Sequence, residues 1–519
     1  MSSATIGMLT AILVYLAGMI LIGFWKTKQN KTSDDFYLGG RRLGPLVTAM
    51  SAEASDMSSW LLMGLPGVAY LTGMAEASWT AIGLAIGTYL NWLFVARRIR
   101  RYTQACGNAI TLPDFFSNRY HARNKALLSI AALIIVIFFI PYTASGFAAC
   151  GKLFSSLFGA DYLIAMIVSA VVIVAYTMLG GFLAASTTDL VQSIVMTAAL
   201  LVVLVFGTVS AGGVQAVIDN ARALPGYLSL VAANNVNTGA VGGYGFLTIV
   251  STLAWGLGYF GMPHILLRFM AIEQERKLTL SRRVATVWVV ISLAVATLIG
   301  VIGYGMTGAG KLNLLQGNAS ETILIKIAEL LSTYGFFFAL LAGVVLAGIL
   351  ASTMSTADSQ LLAAASSVSR NLMESTLGIQ LSTRASMLAA RLTVLVISVI
   401  AVFIAVNPDS SVFRIVSFAW AGFGAAFGPV VLLALFWRRS NQWGALCGMI
   451  GGAGMVFVWK FLLKPMGGVW GIYELLPAFL FAIVLNVVVS LCTKAPEQAV
   501  LDEFDLVASK QDLAGAQQA

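Results

Sequence analysis

Long apolar segments alternate with short polar ones along almost the whole chain. Thirteen apolar segments have about the 20 residues that an α-helix needs to cross the hydrocarbon core of a bilayer. They lie at about residues 6–25, 45–71, 76–96, 127–156, 162–181, 189–211, 241–262, 283–306, 331–365, 388–406, 414–437, 441–463 and 470–492. Membrane-spanning β-strands would be about half as long, with apolar and polar residues in alternation. The pattern therefore predicts an all-α polytopic membrane protein with about 13 transmembrane helices.

The composition excludes a soluble protein of this size. Hydrophobic residues make up 59% of the chain and charged residues only 10%, which is too little charge to cover a soluble domain. The net charge of +9 is better explained by cationic loops in the cytoplasm than by nucleic acid. The four cysteines are scattered and there are only two histidines, so no metal or nucleophile constellation of an enzyme is indicated. We expect a lipid bilayer around the chain, no nucleic-acid partner and no obligate protein partner.

Lys and Arg concentrate in loops that fall on one side if thirteen segments alternate across a bilayer. Arg41, Arg97 and Arg438 belong to such loops. Because cationic loops stay in the cytoplasm, we predict that the N-terminus lies outside and the C-terminus inside. The first segment has no Lys or Arg before it, which favours a retained helix over a signal peptide. We predict one transmembrane domain over residues 1–492 and a short cytoplasmic tail over 493–519.

Polar residues and helix breakers interrupt the second segment. Glu53, Asp56 and four serines lie within residues 51–60, and a Gly-Leu-Pro-Gly sequence follows at 64–67. Carboxylates at this depth in a membrane are unfavourable, and together with helix breaks they typically mark an ion or substrate pathway. We therefore predict an unwound helix next to a site.

A second interrupted segment is the seventh, where residues 255–262 are rich in glycine and Pro263 follows. Each interrupted segment begins a block of five segments, at about 45–211 and 241–437. Discontinuous helices in corresponding positions of two halves are typical of transporters with inverted repeats. The layout therefore predicts two five-helix repeats.

The ninth segment supplies hydroxyl groups. Ser352, Ser355, Thr356 and Ser359 are spaced by three, four and seven residues, which places them on one face of a helix. Unwound backbone at 54–57 would expose carbonyl oxygens, and such carbonyls coordinate Na⁺ in transporters. A Na⁺ site between the second and ninth segments is one interpretation, and a small-residue helix interface is the other.

Other polar residues inside apolar segments also have two interpretations. Asp56 would bind the ion or hold the free N–H groups of the broken helix. Asp189, at the start of the sixth segment, would have a functional role or cap a helix N-terminus. Glu53 would pair with an arginine such as Arg41 or contact a substrate amine.

Aromatic residues with polar tips lie near the interruptions. Tyr142, Trp255 and Tyr259 would line a pocket for a small zwitterion, or they would pack in the core as most such residues do. The predicted activity is secondary active transport of a small solute. The competing class is a channel or passive facilitator, which the pair of broken helices disfavours.

At these residues the chain resembles the sodium/solute symporter family, over nearly its whole length. The matching sequences are Ala-Ser-Asp-Met-Ser at 54–58, Leu-Leu-Met-Gly-Leu-Pro-Gly at 61–67, Leu-Pro-Asp at 112–114, Gly-Gly-Phe-Leu-Ala at 180–184, Trp-Gly-Leu-Gly-Tyr-Phe-Gly at 255–261, Met-Ser-Thr at 354–356 and the glycine-rich sequence at 419–429. The resemblance implies an inverted-repeat fold of the leucine-transporter type in a bacterial inner membrane. It implies import of a small amino acid, L-proline first, with Na⁺ as the coupling ion. Another amino acid, an osmolyte or a carboxylate stays open as the substrate.

The resemblance also implies roles for residues at matching positions. The implied Na⁺ site consists of Ala54, Met57, Ser352, Ser355 and Thr356, with Asp56 governing Na⁺ dependence. The implied substrate contacts are Ser58, Tyr142, Trp255, Tyr259 and Pro263. A second candidate cation site would comprise Asp189, Ser355, Asp358 and Ser359, and Arg41 would belong to a cytoplasmic gate.

Four residues depart from the family's pattern. Glu53 and Ser59 stand where glycine is expected, Asp358 replaces a small hydroxyl residue, and Met262 replaces a glutamine. The added carboxylates bear on the number of coupled ions, on proton coupling and on the choice of substrate.

Overall fold

The computed structural model describes residues 2–27 and 33–509, and nearly all of that chain is helical. Its α-helices are, in chain order, α1 Ser3–Thr27, α2 Ser33–Leu38, α3 Pro45–Ser59, α4 Leu65–Thr72, α5 Met74–Leu90, α6 Ala96–Ala105, α7 Leu112–Arg119, α8 Ala126–Phe158, α9 Tyr162–Ser210, α10 Val214–Arg222, α11 Phe246–Leu253, α12 Pro263–Ala271, α13 Leu278–Gly308, α14 Ile323–Ser332, α15 Phe336–Ser366, α16 Thr383–Ile404, α17 Val412–Phe436, α18 Gln442–Val458, α19 Leu475–Cys492 and α20 Gln498–Ala508. One antiparallel hairpin pairs β1 Ala232–Asn235 with β2 Ala240–Gly243. The all-α prediction is confirmed.

The number of spans differs from the predicted count. Within the described residues, ten helices are long and apolar enough to cross a membrane, or eleven if one bent pair is counted as a span. The count of 13 is therefore not confirmed. The two other predicted segments correspond to the broken helix formed by α3 and α4, which contains Glu53 and Asp56, and to the shorter apolar helix Tyr162–Met178.

The second predicted span is broken at Ser58, earlier than the Gly-Leu-Pro-Gly sequence. Ser58 has φ +43° and ψ −173°, and a π-helical turn at Trp60–Gly64 separates α3 from α4. The Ser58 hydroxyl accepts a hydrogen bond of 3.1 Å from the Trp60 N–H. A non-glycine residue held in such a conformation costs about 1–3 kcal/mol and is typical of functional sites.

The seventh predicted span is also broken, as its composition indicated. A 3₁₀ helix at Ala254–Gly261 follows α11, and α12 begins at Pro263 after a bend of 47°. The predicted sixth span is continuous with the fifth in α9, apart from a break at Gly181 with φ +70°. Asp189 therefore lies inside a helix, and the N-cap interpretation of Asp189 is wrong.

Glycines allow the broken part of the seventh span to lie against α5. A Cβ atom on Gly87 would collide with the backbone of Gly256, and one on Gly256 would collide with the carbonyl of Gly83. These backbones approach closely because neither surface carries a side chain at the crossing. The crossing fixes the segment that carries Trp255 and Tyr259 in the centre of the molecule.

The C-terminal helix α20 packs on one end of the bundle, which we call the basic face because Arg98, Arg119 and Arg438 lie there. Val500, Phe504 and Val507 of α20 are buried. The Phe504 ring lies 5.7 Å from the Arg98 guanidinium and 5.3 Å from that of Arg119. Arg438 forms a hydrogen bond of 2.9 Å with Asp505. The acidic tail therefore continues the fold as far as Ser509.

Candidate functional site

The broken part of the second span lies against α15 through backbone oxygens and hydroxyls. The Ser355 hydroxyl donates a hydrogen bond of 2.8 Å to the Ala54 carbonyl and lies 3.3 Å from the Ser352 carbonyl. The Thr356 hydroxyl donates to the same Ser352 carbonyl at 3.1 Å. All four residues are buried. This oxygen-rich cluster has the donor set that a hard monovalent cation prefers.

Met57 lies beside this cluster, at the break itself. The Met57 carbonyl accepts a hydrogen bond from the Trp60 N–H across the turn. Met57 therefore lies between the Ala54 carbonyl and the non-helical backbone at Ser58. The sequence predicts a shared site for Ala54 and Met57, and the structure brings both to the same turn.

Asp56 connects three elements in the interior. Its carboxylate oxygen Oδ2 accepts a hydrogen bond of 2.6 Å from the Tyr259 hydroxyl. Its backbone carbonyl accepts one of 3.1 Å from the Tyr142 hydroxyl of α8. Asp56 is only 6% exposed. The predicted ion-side aspartate and two predicted substrate-side tyrosines are thus in direct contact.

The aromatic residues enclose a contracted cavity of ≈ 10 Å³ between Asp56, Tyr142, Trp255 and Trp420. That is space for about one water molecule. A second cavity of ≈ 10 Å³ is lined by Ser58, Tyr142 and Thr356 among others. A solute of amino-acid size would have to move these walls apart in order to bind.

A wide vestibule of ≈ 870 Å³ approaches this cavity from the face opposite the basic face. Trp255 lines both the vestibule and the contracted cavity. Its ring lies 5.4 Å from Trp60 and 5.4 Å from Phe413, and it stacks on Tyr473 at 5.1 Å. The aromatic group therefore separates the vestibule from Asp56.

A second polar cluster surrounds Arg268, which the sequence reasoning missed. The Arg268 guanidinium is 1% exposed and lies 3.3 Å from Asp189 and 2.5 Å from the Ser359 hydroxyl. It also donates to the Ser51 hydroxyl at 3.0 Å. Ser51 in turn donates to Asp189 at 2.6 Å. A guanidinium therefore lies among the residues of the second candidate cation site.

Two carboxylate oxygens in this cluster have no hydrogen-bond partner within the described chain, Asp189 Oδ1 and Asp358 Oδ2. The other oxygen of Asp358 accepts from the Ser359 hydroxyl at 3.1 Å. Arg268 lies beyond the predicted seventh segment, which ends at 262, so its charge is indistinguishable in sequence from that of a cationic loop, whereas the structure places it inside α12. The cluster holds two carboxyl groups around one guanidinium.

Glu53 does not form the arginine pair that was one of its two sequence interpretations, and its contact with a substrate amine stays a prediction. Its oxygen Oε1 accepts hydrogen bonds from the Trp92 indole at 2.7 Å and from the Thr88 hydroxyl at 3.1 Å. Arg41 lies near the basic face, where it donates to the Met270 carbonyl at 2.6 Å and to the Ala109 carbonyl at 2.8 Å. The expected pairing of Glu53 with Arg41 is wrong, because Arg41 precedes α3, whereas Glu53 lies about two helical turns inside it.

Pro263, Ser59 and Met262 complete the predicted set. Pro263 is the first residue of α12 and Met262 precedes it with extended backbone, φ −77° and ψ 109°. The Ser59 hydroxyl is buried without a hydrogen-bond partner among the described residues. Pro263 therefore fixes where α12 starts, next to the segment that carries Tyr259.

Comparisons with known proteins agree with this architecture. The model of the family described as sodium:solute symporter family matches residues 36–452. The osmoregulated proline transporter OpuE of Bacillus subtilis is 42% identical over 486 residues, which cover 94% of this chain and 95% of the relative. The sodium/proline symporter of Escherichia coli is 42% identical over 503 residues, which cover 96% and 95%.

Among solved structures, the chain is similar to a substrate-bound, outward-open Na⁺-coupled sialic acid symporter. The TM-score is 0.76 at 17% sequence identity, and the match covers 95% of this chain and 99% of the other. At this identity the likeness concerns the fold alone. The chain therefore shares the overall fold of that transporter.

Proposed function

Because the chain belongs to the sodium:solute symporter family, we propose that it imports L-proline, a small zwitterionic amino acid, with Na⁺ as the coupling ion. Relatives named as proline transporters at 42% identity support this substrate. The observation that carries the proposal is the contact of 2.8 Å between the Ala54 carbonyl and the Ser355 hydroxyl. It joins the broken helix to α15 through a carbonyl and a hydroxyl, the kinds of oxygen group that suit Na⁺.

We assign the Na⁺ site to that cluster. The carbonyls of Ala54, Met57 and Ser352 and the hydroxyls of Ser355 and Thr356 are its proposed ligands. Oxygen ligands from unwound helix and from hydroxyls suit Na⁺. An ion held between α3 and α15 would replace the hydrogen bond from Ser355 to Ala54 and would draw the two elements together.

Asp56 links that ion site to the substrate. Its carboxylate contacts Tyr259, and its backbone carbonyl contacts Tyr142. The proposed substrate residues are Ser58, Tyr142, Trp255, Tyr259 and Pro263. Ordering of the broken helix by Na⁺ would then set the positions of both tyrosines, which is how ion binding raises substrate affinity.

Alternating access would open the substrate site first to the vestibule and then to the basic face. Trp255 lies at the bottom of the vestibule, and Arg41 ties the loop before α3 to the end of α12 at the other face. The proposed repeats, 45–211 and 241–437, each begin with one of the broken helices. One charge that crosses about 100 mV supplies about 2.3 kcal/mol, enough for about fortyfold accumulation at ~1.4 kcal/mol per tenfold.

A second cation site would use Asp189, Ser355, Asp358 and Ser359. The guanidinium of Arg268 lies among these residues and makes the net charge of the site less negative. With both carboxyl groups ionised, one positive and two negative charges leave a single formal negative charge for a second cation. The cooperativity of Na⁺ activation would report this site directly. A Hill coefficient near one would assign the role of the second cation to Arg268 itself.

The proposed location is the inner membrane of a bacterium, with the N-terminus outside and the C-terminus in the cytoplasm. The basic face carries Arg41, Arg98 and Arg438, which the positive-inside rule assigns to the cytoplasm. The vestibule would then open to the outside, where the solute enters.

Competition experiments would test the substrate. Uptake of labelled L-proline by cells that express the protein would be measured with and without Na⁺ and with a panel of amino acids, osmolytes and carboxylates. We expect Na⁺-dependent uptake that unlabelled proline inhibits most strongly. Stronger inhibition by another solute would reassign the substrate, and equal uptake without Na⁺ would favour a passive facilitator.

A further inference from the structure

A π-helical turn at Asn91–Val95 interrupts the third span where that span contacts both broken helices. Such turns insert one extra residue into a helix and are frequent at functional sites. Asn91 and Trp92 are both buried there. Both side chains point to elements other than their own helix.

Trp92 reaches the broken second span. Its indole N–H donates a hydrogen bond of 2.7 Å to Glu53, and Thr88, one turn earlier, donates one of 3.1 Å to the same oxygen. The Trp92 ring also lies 4.4 Å from Phe269 of α12 in an edge-to-face arrangement. The side chain therefore touches both discontinuous helices.

Asn91 reaches the broken seventh span. Its amide nitrogen donates a hydrogen bond of 3.0 Å to the backbone carbonyl of Tyr259. That carbonyl belongs to a 3₁₀ helix, which has poorer internal hydrogen bonding than an α-helix. Asn91 thus holds the backbone of the residue whose hydroxyl contacts Asp56.

These contacts form a closed ring. Tyr259 bonds to Asp56, Asn91 bonds to Tyr259, and Trp92 bonds to Glu53, which is three residues before Asp56 in the same helix. Glu53 is 1% exposed, and its second oxygen has no partner among the described residues. No Lys or Arg of the described chain pairs with Glu53, and the contacts of its carboxyl group there are the two hydrogen bonds that it accepts.

We propose that Glu53 and Trp92 are positioning residues that hold Ala54 and Asp56 in register with Tyr259 for Na⁺ and substrate binding. The inference rests on the proposed Na⁺-coupled function. The carboxyl group acts through its oxygen Oε1 as an acceptor, so an amide of the same shape should replace it. A Glu53→Gln variant keeps that acceptor, whereas Glu53→Ala removes it.

The test measures Na⁺-dependent uptake in proteoliposomes. For Glu53→Ala we expect roughly a tenfold increase both in the Na⁺ concentration for half-maximal uptake and in the KM for proline, as the loss of a buried hydrogen bond to a carboxyl group implies. Glu53→Gln should stay within about threefold of the wild type. Trp92→Phe, which keeps an aromatic ring but loses the N–H, leaves the Thr88 bond in place and should raise both constants by a smaller factor.

The double variant and a matched control complete the test. Glu53→Ala combined with Trp92→Phe should be no worse than Glu53→Ala alone, because Glu53→Ala already removes the contact that Trp92→Phe removes. The matched control is Trp79→Phe in α5, the helix that leads into the π-helical turn. It removes an indole hydrogen bond of 2.7 Å to the Leu230 carbonyl, far from the ring of contacts around Asp56, and should leave both constants unchanged.

Each other outcome has one meaning. If Glu53→Gln is as impaired as Glu53→Ala, the charge of Glu53 is what matters, and the positioning proposal is overturned. Wild-type constants for Glu53→Ala would overturn it as well. Absence of Na⁺-dependent proline uptake in the wild-type protein would instead overturn the proposed function.

Discussion

Asp56 is the point at which the proposed ion and substrate sites meet. Its backbone and its side chain have different partners, Tyr142 and Tyr259. A carboxylate buried in a membrane is unfavourable unless it is paired or functional. The hydrogen bond from Tyr259 offsets part of that desolvation, and Na⁺ nearby would offset more.

Asp56→Asn should therefore weaken Na⁺ activation. We expect the Na⁺ concentration for half-maximal uptake to rise by about tenfold or more, since a hydrogen bond to a charged group contributes about 1.5–3 kcal/mol. Initial rates of uptake over a range of Na⁺ concentrations measure this. An unchanged Na⁺ dependence would refute the assignment of Asp56 to the ion side.

The hydroxyls of α15 give a second prediction. Ser355→Ala with Thr356→Ala should abolish accumulation driven by a Na⁺ gradient, because two proposed ligands are lost. Ser366→Ala is the matched control: its hydroxyl lies near the end of the same helix and, among the described residues, bonds only to the Ala363 carbonyl, at 2.8 Å. Accumulation that persists in the double variant would place the ion elsewhere.

The sequence was sufficient to predict that these residues lie close together, but not to identify every residue of the site. Hydroxyl spacing predicted that Ser355 and Thr356 share a face, and Ser355 contacts Ala54. Arg268 was missed because its charge borders a cationic loop. The partners of Glu53 depend on a π-helical turn in another span, which no local pattern of that span revealed.

The breaks in the helices follow from packing as much as from helix propensity. The sequence indicated a break near 64–67, yet α4 contains Pro66 in its first turn, where proline is tolerated. A Cβ atom on Gly67 would lie 2.9 Å from the Glu321 backbone. Gly67 therefore permits a close approach, and the break falls at Ser58, where the Trp60 N–H finds a side-chain acceptor.

The packing of α20 on the basic face yields a prediction about the protease sensitivity of that helix. Phe504→Ala removes a buried ring that lies under two guanidinium groups, so α20 should detach and become accessible to protease. Arg123→Ala is the control, since Arg123 is 84% exposed in its pair with Glu497 and such surface pairs contribute little. Equal proteolysis of both variants and the wild type would contradict this account.

The architecture as a whole has an open vestibule on one face and tight packing around Asp56. The predicted fold type is shared with a solved Na⁺-coupled symporter at a TM-score of 0.76. The number of spans was less predictable, because a broken helix with two carboxylates does not have the composition of an ordinary membrane helix. The same departure from ordinary composition is what identified the site.

The proposed orientation makes the vestibule the outer entrance. Glu76, Arg414 and Lys460 line it, and Trp255 lies at its inner end. Entry of a solute from this side requires the aromatic group around Trp255 to open, while the contacts of Arg41 at the basic face stay closed.

Accumulation in proteoliposomes tests the central claim most directly. Purified protein would be reconstituted, and labelled L-proline would be supplied with an inward Na⁺ gradient and an inside-negative potential of about 100 mV. We predict Na⁺-dependent accumulation above the outside concentration, by about fortyfold from the potential alone, and its collapse when the gradient and the potential are dissipated. Equilibration without accumulation, at the same rate with and without Na⁺, would contradict coupled transport.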